Sequence, residues 1–279
     1  MWTSYQPKKS ITLERFFSVF EATYDSTYFF QGEAHDFWEV VTVLEGDVCV
    51  SAGNNIFHLS KGEMIFHKPM EFHKFHIENG KSATLFVMSF AASGELMERF
   101  EKSVLHLSPE QRQMLTSILS YLRQECELPN QYNFACLDEL ERHPSKFQGF
   151  TCMTELLLLS LAKENVPIRA DLDTPETIAY RRAVQTMEKN VGAWLSVPEI
   201  AEECHVSVSY LKNIFRKYAG LGIHQYYLKT KMIHASNMLR TGKSVSETAE
   251  QLAFSSPNYF STVYKRETGL TPLEHKAKS

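Results

Sequence analysis

The last hundred residues repeat themselves, and no other feature narrows the possible folds as far. Tyr210-Leu211 recurs as Tyr259-Phe260, Phe215-Arg216 as Tyr264-Lys265 and Gly220-Leu221 as Gly269-Leu270, each at an offset of 49 residues. Ala201 recurs as Ala249 at 48, so the slip of one residue falls between paired helices, where a turn absorbs it. Each copy reads as a helix-turn-helix. In the first, Ser196 caps a short helix whose Val197, Ile200, Ala201 and Cys204 sit at i, i+3, i+4 and i+7. His205-Val206 turns, and Ser207 caps a second helix with Leu211, Ile214, Phe215 and Tyr218 in the same spacing. The second copy uses Ser244, then Val245, Thr248, Ala249 and Leu252, a turn at Phe254-Ser255, and Phe260, Val263 and Tyr264. A small alanine in each first helix lets the second pack closely across it.

Opposite these apolar stripes lie Ser209, Lys212, Asn213 and Arg216 in the first copy and Asn258, Ser261, Thr262 and Lys265 in the second. Solvated helix faces are commonly polar, but two such faces on tandem units suit a DNA major groove. There lysine reaches guanine, asparagine pairs with adenine, and serine or threonine tolerates either. A helix over residues 223–239 would separate the units by roughly 25 Å, near the roughly 34–36 Å between successive groove segments on one side of a duplex. Charge divides in the same sense. Residues 1–173 hold 15 Lys+Arg and 24 Asp+Glu, whereas residues 174–279 hold 14 and 9. A basic third on an otherwise acidic chain points to a polyanion partner for that third alone.

Upstream the pattern changes. Between Tyr28 and Phe90 short strands alternate with turns: a strand through Phe37–Leu44, a turn at Glu45-Gly46, and a hairpin of Val48–Ser51 and Ile56–Leu59 across Gly53-Asn54-Asn55. Lys61-Gly62 turns again, Met64–Phe66 follows, and Thr84–Phe90 closes the series, which predicts a small β-barrel. Ser108-Pro109-Glu110-Gln111 opens a helix carrying Met114, Leu115, Ile118, Leu119 and Leu122. A second helix is predicted over Phe150–Lys163, with leucines on too many faces for one stripe, hence a candidate dimer contact. Residues 165–173, with Pro167 and two aspartates, read as a linker. The expected division is 1–95 for an effector-binding barrel, 96–173 for a helical dimerisation region and linker, and 174–279 for the helical C-terminal domain.

With 43% hydrophobic and 22% charged residues, 279 residues suit about two globular domains. The aliphatic run Leu156–Leu159 is far shorter than the roughly 20 residues a membrane span needs. Residues 1–20 carry Lys8, Lys9, Glu14 and Arg15 without a secretory core, so a cytoplasmic location is expected. Cys49, Cys126, Cys136, Cys152 and Cys204 are odd in number and form no C-x-x-C pair; they read as reduced fillers outside any disulfide framework or zinc knuckle.

The C-terminal residues resemble the DNA-binding domain of the AraC family of bacterial transcription regulators. The resembling string runs from Leu195-Ser196-Val197 and Ile200-Ala201 through Ser207, Tyr210-Leu211, Phe215-Arg216 and Gly220. It continues through Ala235 and Met238-Leu239 to Ala249, Phe254, Tyr259-Phe260, Tyr264-Lys265 and Gly269-Leu270-Thr271-Pro272. By this resemblance Ser209, Lys212 and Asn213 face bases in the first unit and Asn258, Ser261 and Thr262 in the second; Ser207, Arg216 and Lys265 complete the DNA-binding set. Direct readout is expected to be weaker in the second unit, which has no long cation among its three. Three departures stand out. Lys231 replaces a usual arginine on the connecting helix, where it is expected to meet a phosphate without bidentate geometry. His275-Lys276 replaces Tyr-Arg. Ala253 replaces a glycine before Phe254 and is expected to alter the second turn slightly, since alanine is comfortable only at negative φ.

In the N-terminal part, His35-x3-Glu39-x6-Gly46 and Gly62-x6-Pro69-x3-His73 resemble the two cupin motifs, with Glu33 where a first histidine belongs. Alternation along a strand places Glu33, His35 and Glu39 on one face. Family sensor barrels commonly keep degraded cupin motifs whose polar residues grip an organic effector. Glu33, His35, Trp38, Glu39 and His73 are therefore the expected effector site. No cofactor is expected; the alternative is a divalent metal on Glu33, His35, Glu39 and His73. Phe37, Trp38, Phe66 and Phe72 are as readily packing residues, and His58, His67 and His76 surface or satisfied core residues.

The sequence thus predicts an α+β multidomain chain: a cupin-like β-barrel, central helices and an all-α tandem helix-turn-helix domain. The implied function is a ligand-responsive transcription regulator and homodimer. Its expected partners are double-stranded promoter DNA, a small-molecule effector and RNA polymerase, with no membrane. By resemblance, activation of catabolic genes is expected, with sugars or their metabolites as an effector class. The competing reading is a metal-dependent cupin enzyme whose helices merely tether it to DNA, but no nucleophile signature or phosphate-cradling loop supports catalysis.

Overall fold

A computed structural model describes residues 2–78, 80–101, 104–126, 135–163 and 173–278. Residues 165–172 of the expected linker lie outside them. Alternating apolar residues build seven antiparallel strands: β1 (Thr12–Asp25), β2 (Trp38–Ala52), β3 (Asn55–Ser60), β4 (Glu63–His67), β5 (His73–His76), β6 (Ser82–Ser93) and β7 (Val104–His106). The main path runs β1-β6-β2-β4-β7, and β3 and β5 pair with the second half of β2.

One long strand therefore serves two sheets. Glu45-Gly46, expected as a turn, is instead a bulge inside β2, where the register against β6 shifts between Val43 and Glu45. Gly46 has φ +78°, and a Cβ there would lie 2.1 Å from the Ser82 carbonyl oxygen, so only glycine permits the bend. Bending β2 rolls the strands around an interior of Val41, Val43, Val50, Leu59, Ile65, Leu85 and Val87. β1, β5 and β7 escaped the sequence reading because Thr12–Asp25 mixes charged residues with aromatics, and His73–His76 and Val104–His106 are only four and three residues long.

The outer face of the rolled sheet is equally apolar, and helices cover it. Trp38, Val40, Phe66, Phe86, Met88 and Phe90 form one core with α1 (Pro109–Glu125), α2 (Ala135–Arg142) and α3 (Pro144–Leu161). Ser108 caps α1 in a capping box with Gln111, as the sequence indicates. Leu115, Ile118, Leu119 and Leu122 then dock on the sheet, each worth roughly 1.5–3 kcal/mol over exposure. Cys126 and Cys136 are disulfide-bonded with Cα atoms 4.9 Å apart, which corrects the expectation of five reduced cysteines. The end of α1 meets α2 there, a proximity that a ten-residue spacing does not announce. Cys49, Cys152 and Cys204 are free thiols.

The C-terminal part consists of α4 (Pro175–Lys189), α5 (Val197–Glu203), α6 (Val208–Tyr218), α7 (Ile223–Arg240), α8 (Val245–Gln251), α9 (Pro257–Thr268) and α10 (Pro272–Lys278). The repeat is two helix-turn-helix units, α5–α6 and α8–α9, and serines 196, 207, 244 and 256 cap their four helices. α7 belongs to both units. Its Ile223, Tyr226 and Tyr227 enter the first unit's core, and Leu228, Met232, Ala235 and Leu239 enter the second's.

The two turns match in backbone as well as in sequence position. His205 has φ +57° and Ala253 φ +56°, so the second turn keeps the shape of the first, and alanine carries the left-handed strain it was expected to avoid. Left-handed backbone costs a non-glycine residue roughly 1–2 kcal/mol, partly offset by the added flexibility of glycine in the unfolded chain. Ala253→Gly is accordingly expected to stabilise the protein by about 0.5–1 kcal/mol, read as a higher urea midpoint. A lower midpoint would show that the turn is not held at positive φ.

Candidate nucleic-acid interface and sensor cluster

The buried stripe of α6 is Leu211, Ile214, Phe215 and Tyr218, which leaves Ser209, Lys212, Asn213 and Arg216 exposed on the other side. In α9 the stripe Phe260, Val263 and Tyr264 leaves Asn258, Thr262 and Lys265 exposed and Ser261 half-buried. The structure thus brings each expected set to one helix face. Ser207 is committed as a cap, accepting from the Tyr210 N–H at 3.2 Å. The Ser261 and Thr262 hydroxyls donate to the carbonyls of Pro257 and Asn258, at 2.8 and 3.0 Å, and so present oxygen lone pairs outward. Two residues escaped the reading of site residues. Tyr210 and Tyr259, equivalent in the repeat, stand exposed beside the polar faces, and their recurrence at the 49-residue offset was the available signal.

Lys231 corrects another expectation: it meets no phosphate, because it is wholly buried. Its ammonium donates to the carbonyls of Val191, Ala193 and Leu252, the last two at 2.6 and 3.0 Å. It also lies 4.4 Å from the Trp194 ring centre and 5.0 Å from that of Tyr227. Burial pulls its pKa down to about 8, while the carbonyls and ring faces favour the ammonium. Val191 and Ala193 follow α4 and Leu252 ends α8, so one cation pins the two units together. Trp194 closes the joint by donating its indole N–H to the Ala253 carbonyl at 2.8 Å.

The rolled sheet docks on the first unit. Cys49, Ile56 and Phe72 share an apolar cluster with Tyr180, Phe215, Tyr218 and Tyr226. Ser51 donates to the Tyr218 carbonyl at 2.6 Å and Lys74 to the Lys217 carbonyl at 2.8 Å, which places a serine hydroxyl and an ammonium at the C-terminal end of α6. Gly220 (φ +68°) lies against the Lys74 side chain and has no Cβ to displace it.

The segment leading into β2, the start of β2 and the start of β5 bring Glu33, His35, Glu39 and His73 together, with ligand atoms all within 4.8 Å of one another. Reciprocal backbone hydrogen bonds of 2.9 Å pair Glu33 with His73. The Nε2 of His73 is 3.3 Å from Glu39 Oε1 and 3.9 Å from Glu33 Oε1, and that of His35 is 3.7 Å from Glu39 Oε2. Despite its burial, Glu39 is held well below the usual carboxylate range by His35 and His73, and His73 rises to about 9 against Glu39. Burial and the neighbouring His73 depress His67, which stacks on His73 at 4.2 Å.

Trp38 does not join this cluster, a correction that strand alternation explains. Residues 38 and 39 point to opposite faces, so Glu39 faces the interior while Trp38 packs under the helices. Phe66 and Phe72 are core residues too. Phe37 lies between His35 and Phe17 in a stack with ring separations of 3.8 and 4.0 Å. Below the cluster the sheet interior is filled with aliphatic side chains, so the space next to it lies elsewhere. A cavity of about 300 Å³ separates Ala34, His35, Asp36 and Met70 from Lys229, Met232 and Ser236 of α7 and from the segment around Leu270.

Residues 17–166 match the family described as AraC-like ligand binding domain, and residues 200–278 match that described as a helix-turn-helix domain. The chain is 23% identical over 261 residues to an HTH-type transcriptional activator, RhaR, of Yersinia pseudotuberculosis serotype O:1b, covering 89% of this chain and 85% of that one. Over 115 residues it is 32% identical to the HTH-type transcriptional regulator ArgR of Pseudomonas aeruginosa, covering 41% of this chain and 35% of that one. Among solved structures, an AraC-type transcriptional regulator from Chromobacterium violaceum is 34% identical, covering 35% of this chain and 88% of its own with a TM-score of 0.34. ToxT of Vibrio cholerae is 15% identical, covering 97% and 98% with a TM-score of 0.39. Among the described residues, no helix is long and apolar enough to cross a membrane.

Removing the Lys231 ammonium takes a donor from three carbonyls; that of Ala193 keeps the Tyr227 hydroxyl at 2.9 Å, whereas that of Leu252 loses its bond inside the buried joint, and an unpaired buried carbonyl costs roughly 1–3 kcal/mol. Lys231→Met is expected to lower stability by about 2–4 kcal/mol and to split thermal unfolding of the two units. A loss within about 0.5 kcal/mol, typical of surface substitutions, would refute the buried tie.

Proposed function

The chain belongs to the AraC-like family of ligand-binding regulators, and on that premise we propose that it is a ligand-responsive, sequence-specific activator of catabolic genes. Residues 1–95 would form the sensor, 96–173 the helical dimerisation region and 174–279 the DNA-binding domain. The observation that carries this reading is the pair of exposed polar faces on α6 and α9, set on units that one buried cation fixes relative to each other. Both faces belong to one chain, so each subunit would read a non-palindromic site across two neighbouring groove segments. Ser207, Ser209, Lys212, Asn213 and Arg216 serve the first segment and Asn258, Ser261, Thr262 and Lys265 the second. The exposed tyrosines 210 and 259 would add contacts to the sugar-phosphate backbone.

Activation is supported by the name of the full-length relative, and sugars or their metabolites by the family's effectors. An activator of this kind would engage RNA polymerase and work in the cytoplasm, and nothing in the reading calls for catalysis. The effector would be held by Glu33, His35, Glu39 and His73, beside the cavity that α7 closes. Binding there couples to DNA affinity only if one arrangement of sensor and DNA-binding units binds the effector better than another. Homodimerisation is assigned to α3, whose Gln148, Cys152, Leu156 and Leu159 form an exposed stripe opposite its buried face.

Footprinting on the chain's own promoter tests the reading: a protected, salt-sensitive site preferred over random duplex is expected, and equal affinity for both would refute it. Lys212→Ala should weaken binding by about 1–3 kcal/mol and relax the preference at one base position, whereas a uniform loss across sequences would make Lys212 a phosphate contact. The pair Leu156→Glu and Leu159→Glu should shift the sedimenting species from dimer to monomer with unchanged thermal stability; a variant that stays dimeric would move the interface elsewhere.

A further inference from the structure

The two histidines of the cluster are oriented as ligands. The Nδ1 of His35 lies 3.0 Å from the Phe37 carbonyl oxygen, and that of His73 lies 3.0 Å from the Glu71 carbonyl oxygen. A carbonyl only accepts, so each Nδ1 carries the proton and donates. Both Nε2 atoms therefore turn inward, and both are buried without a hydrogen-bond partner. With each Nδ1 tied to a carbonyl, the Nε2 of each ring faces the oxygens of Glu33 and Glu39, and the four donor atoms converge within 4.8 Å of one another. Protons would favour direct contacts of about 2.7–2.9 Å. The separations of 3.3, 3.7 and 3.9 Å are longer, and with all four donor atoms within 4.8 Å of one another a modest closure would bring them to the roughly 3.4 Å edges of a tetrahedral shell with metal–donor bonds of about 2.0–2.1 Å.

The surroundings fix the same four donors. Ser89 donates to Glu39 Oε2 at 2.9 Å and is held in turn by Ser18 at 2.8 Å. The His67 ring lies flat against His73, and the paired backbones of Glu33 and His73 set the opening between them. Such outer contacts are what hold metal-binding imidazoles and carboxylates in place. Only Glu33, half-exposed, has freedom to close on an ion.

We propose that Glu33, His35, Glu39 and His73 bind a divalent first-row transition metal ion, and that the sensor half reads this ion directly or through a small ligand attached to it. Two imidazoles with two carboxylates suit Mn, Fe, Ni or Zn rather than soft Cu(I) or the all-oxygen preference of Ca and Mg. His35 also lines the cavity facing α7, so an ion here sits beside the joint between sensor and DNA-binding helices. The second half of the inference rests on the reading of these residues as the sensory site; the first does not.

The test uses the untagged full chain stripped with a chelator and titrated with Co(II), followed by its visible absorption, and with Zn(II), followed by calorimetry. One equivalent is expected to bind at micromolar concentration or tighter. His35→Ala, His73→Ala and Glu39→Gln should each weaken binding about a hundredfold and Glu33→Gln about tenfold, while His58→Ala leaves it unchanged. Glu33→Gln should keep the thermal stability of the metal-free protein, which separates loss of a ligand from loss of the fold. Absence of stoichiometric binding below millimolar metal, or binding indifferent to Glu33→Gln and His35→Ala, overturns the site. Promoter affinity that differs at least fivefold between loaded and stripped protein supports the sensory role, and equal affinity overturns that role alone. Loss of promoter preference in both forms would instead refute the regulator reading.

Discussion

The two helix-turn-helix units depend on one ammonium placed where water cannot reach it. α7 supplies side chains to both cores, but a shared helix alone would leave the units free to rock about it. Lys231 removes that freedom by donating to three backbone carbonyls, two from the segment after α4 and one from the end of α8. The indole of Trp194 covers the charge and spends its own N–H on the second turn. Two polar faces can address one duplex only if their separation and angle are fixed, and this joint fixes them within the protein.

A second constraint ties sensing to the first of those units. The sheet contributes apolar residues to the first unit's core and polar groups to the last carbonyls of α6, so any shift of the sheet is felt at the end of α6. The second unit meets the sensor half across a cavity instead. Among the described residues the halves thus meet at a packed contact and across a cavity; His35 of the polar cluster lines the cavity, and His73 lies between Phe72 and Lys74 of the packed contact. A ligand that changes the open contact would work against the packed one as a fulcrum.

Much of this was legible in the sequence because the relevant signals are local. Capping serines, apolar spacings of three and four, and the 49-residue offset report helix positions without knowledge of the tertiary structure. The two glutamates and two histidines were also recoverable, although they reach one another across a β-bridge rather than along one strand. What escaped depends on partners distant in sequence. Lysine on a helix reads as a surface cation, and nothing near Lys231 announces carbonyls from residues 191 and 252. Trp38 and Glu39 could not both face inward, and strand alternation alone would have excluded the tryptophan. Cys126 and Cys136 meet only because two helices end side by side. At Ala253 the residue's own preference for negative φ yields to the packing of Phe254 and Trp194 around the turn.

The apolar cluster formed by Cys49, Ile56 and Phe72 with α4, α6 and α7 also bears on how such proteins can be rebuilt. A chimaera joined after α3 and before α4 would leave both of those helices whole, yet it would present an unfamiliar sheet to Tyr180, Tyr218 and Tyr226. Exchangeable sensors therefore cannot be cassettes bounded by that junction. The hairpin around Gly53 and the helices it touches form one packed unit, and a transplant would have to carry both sides of that seam.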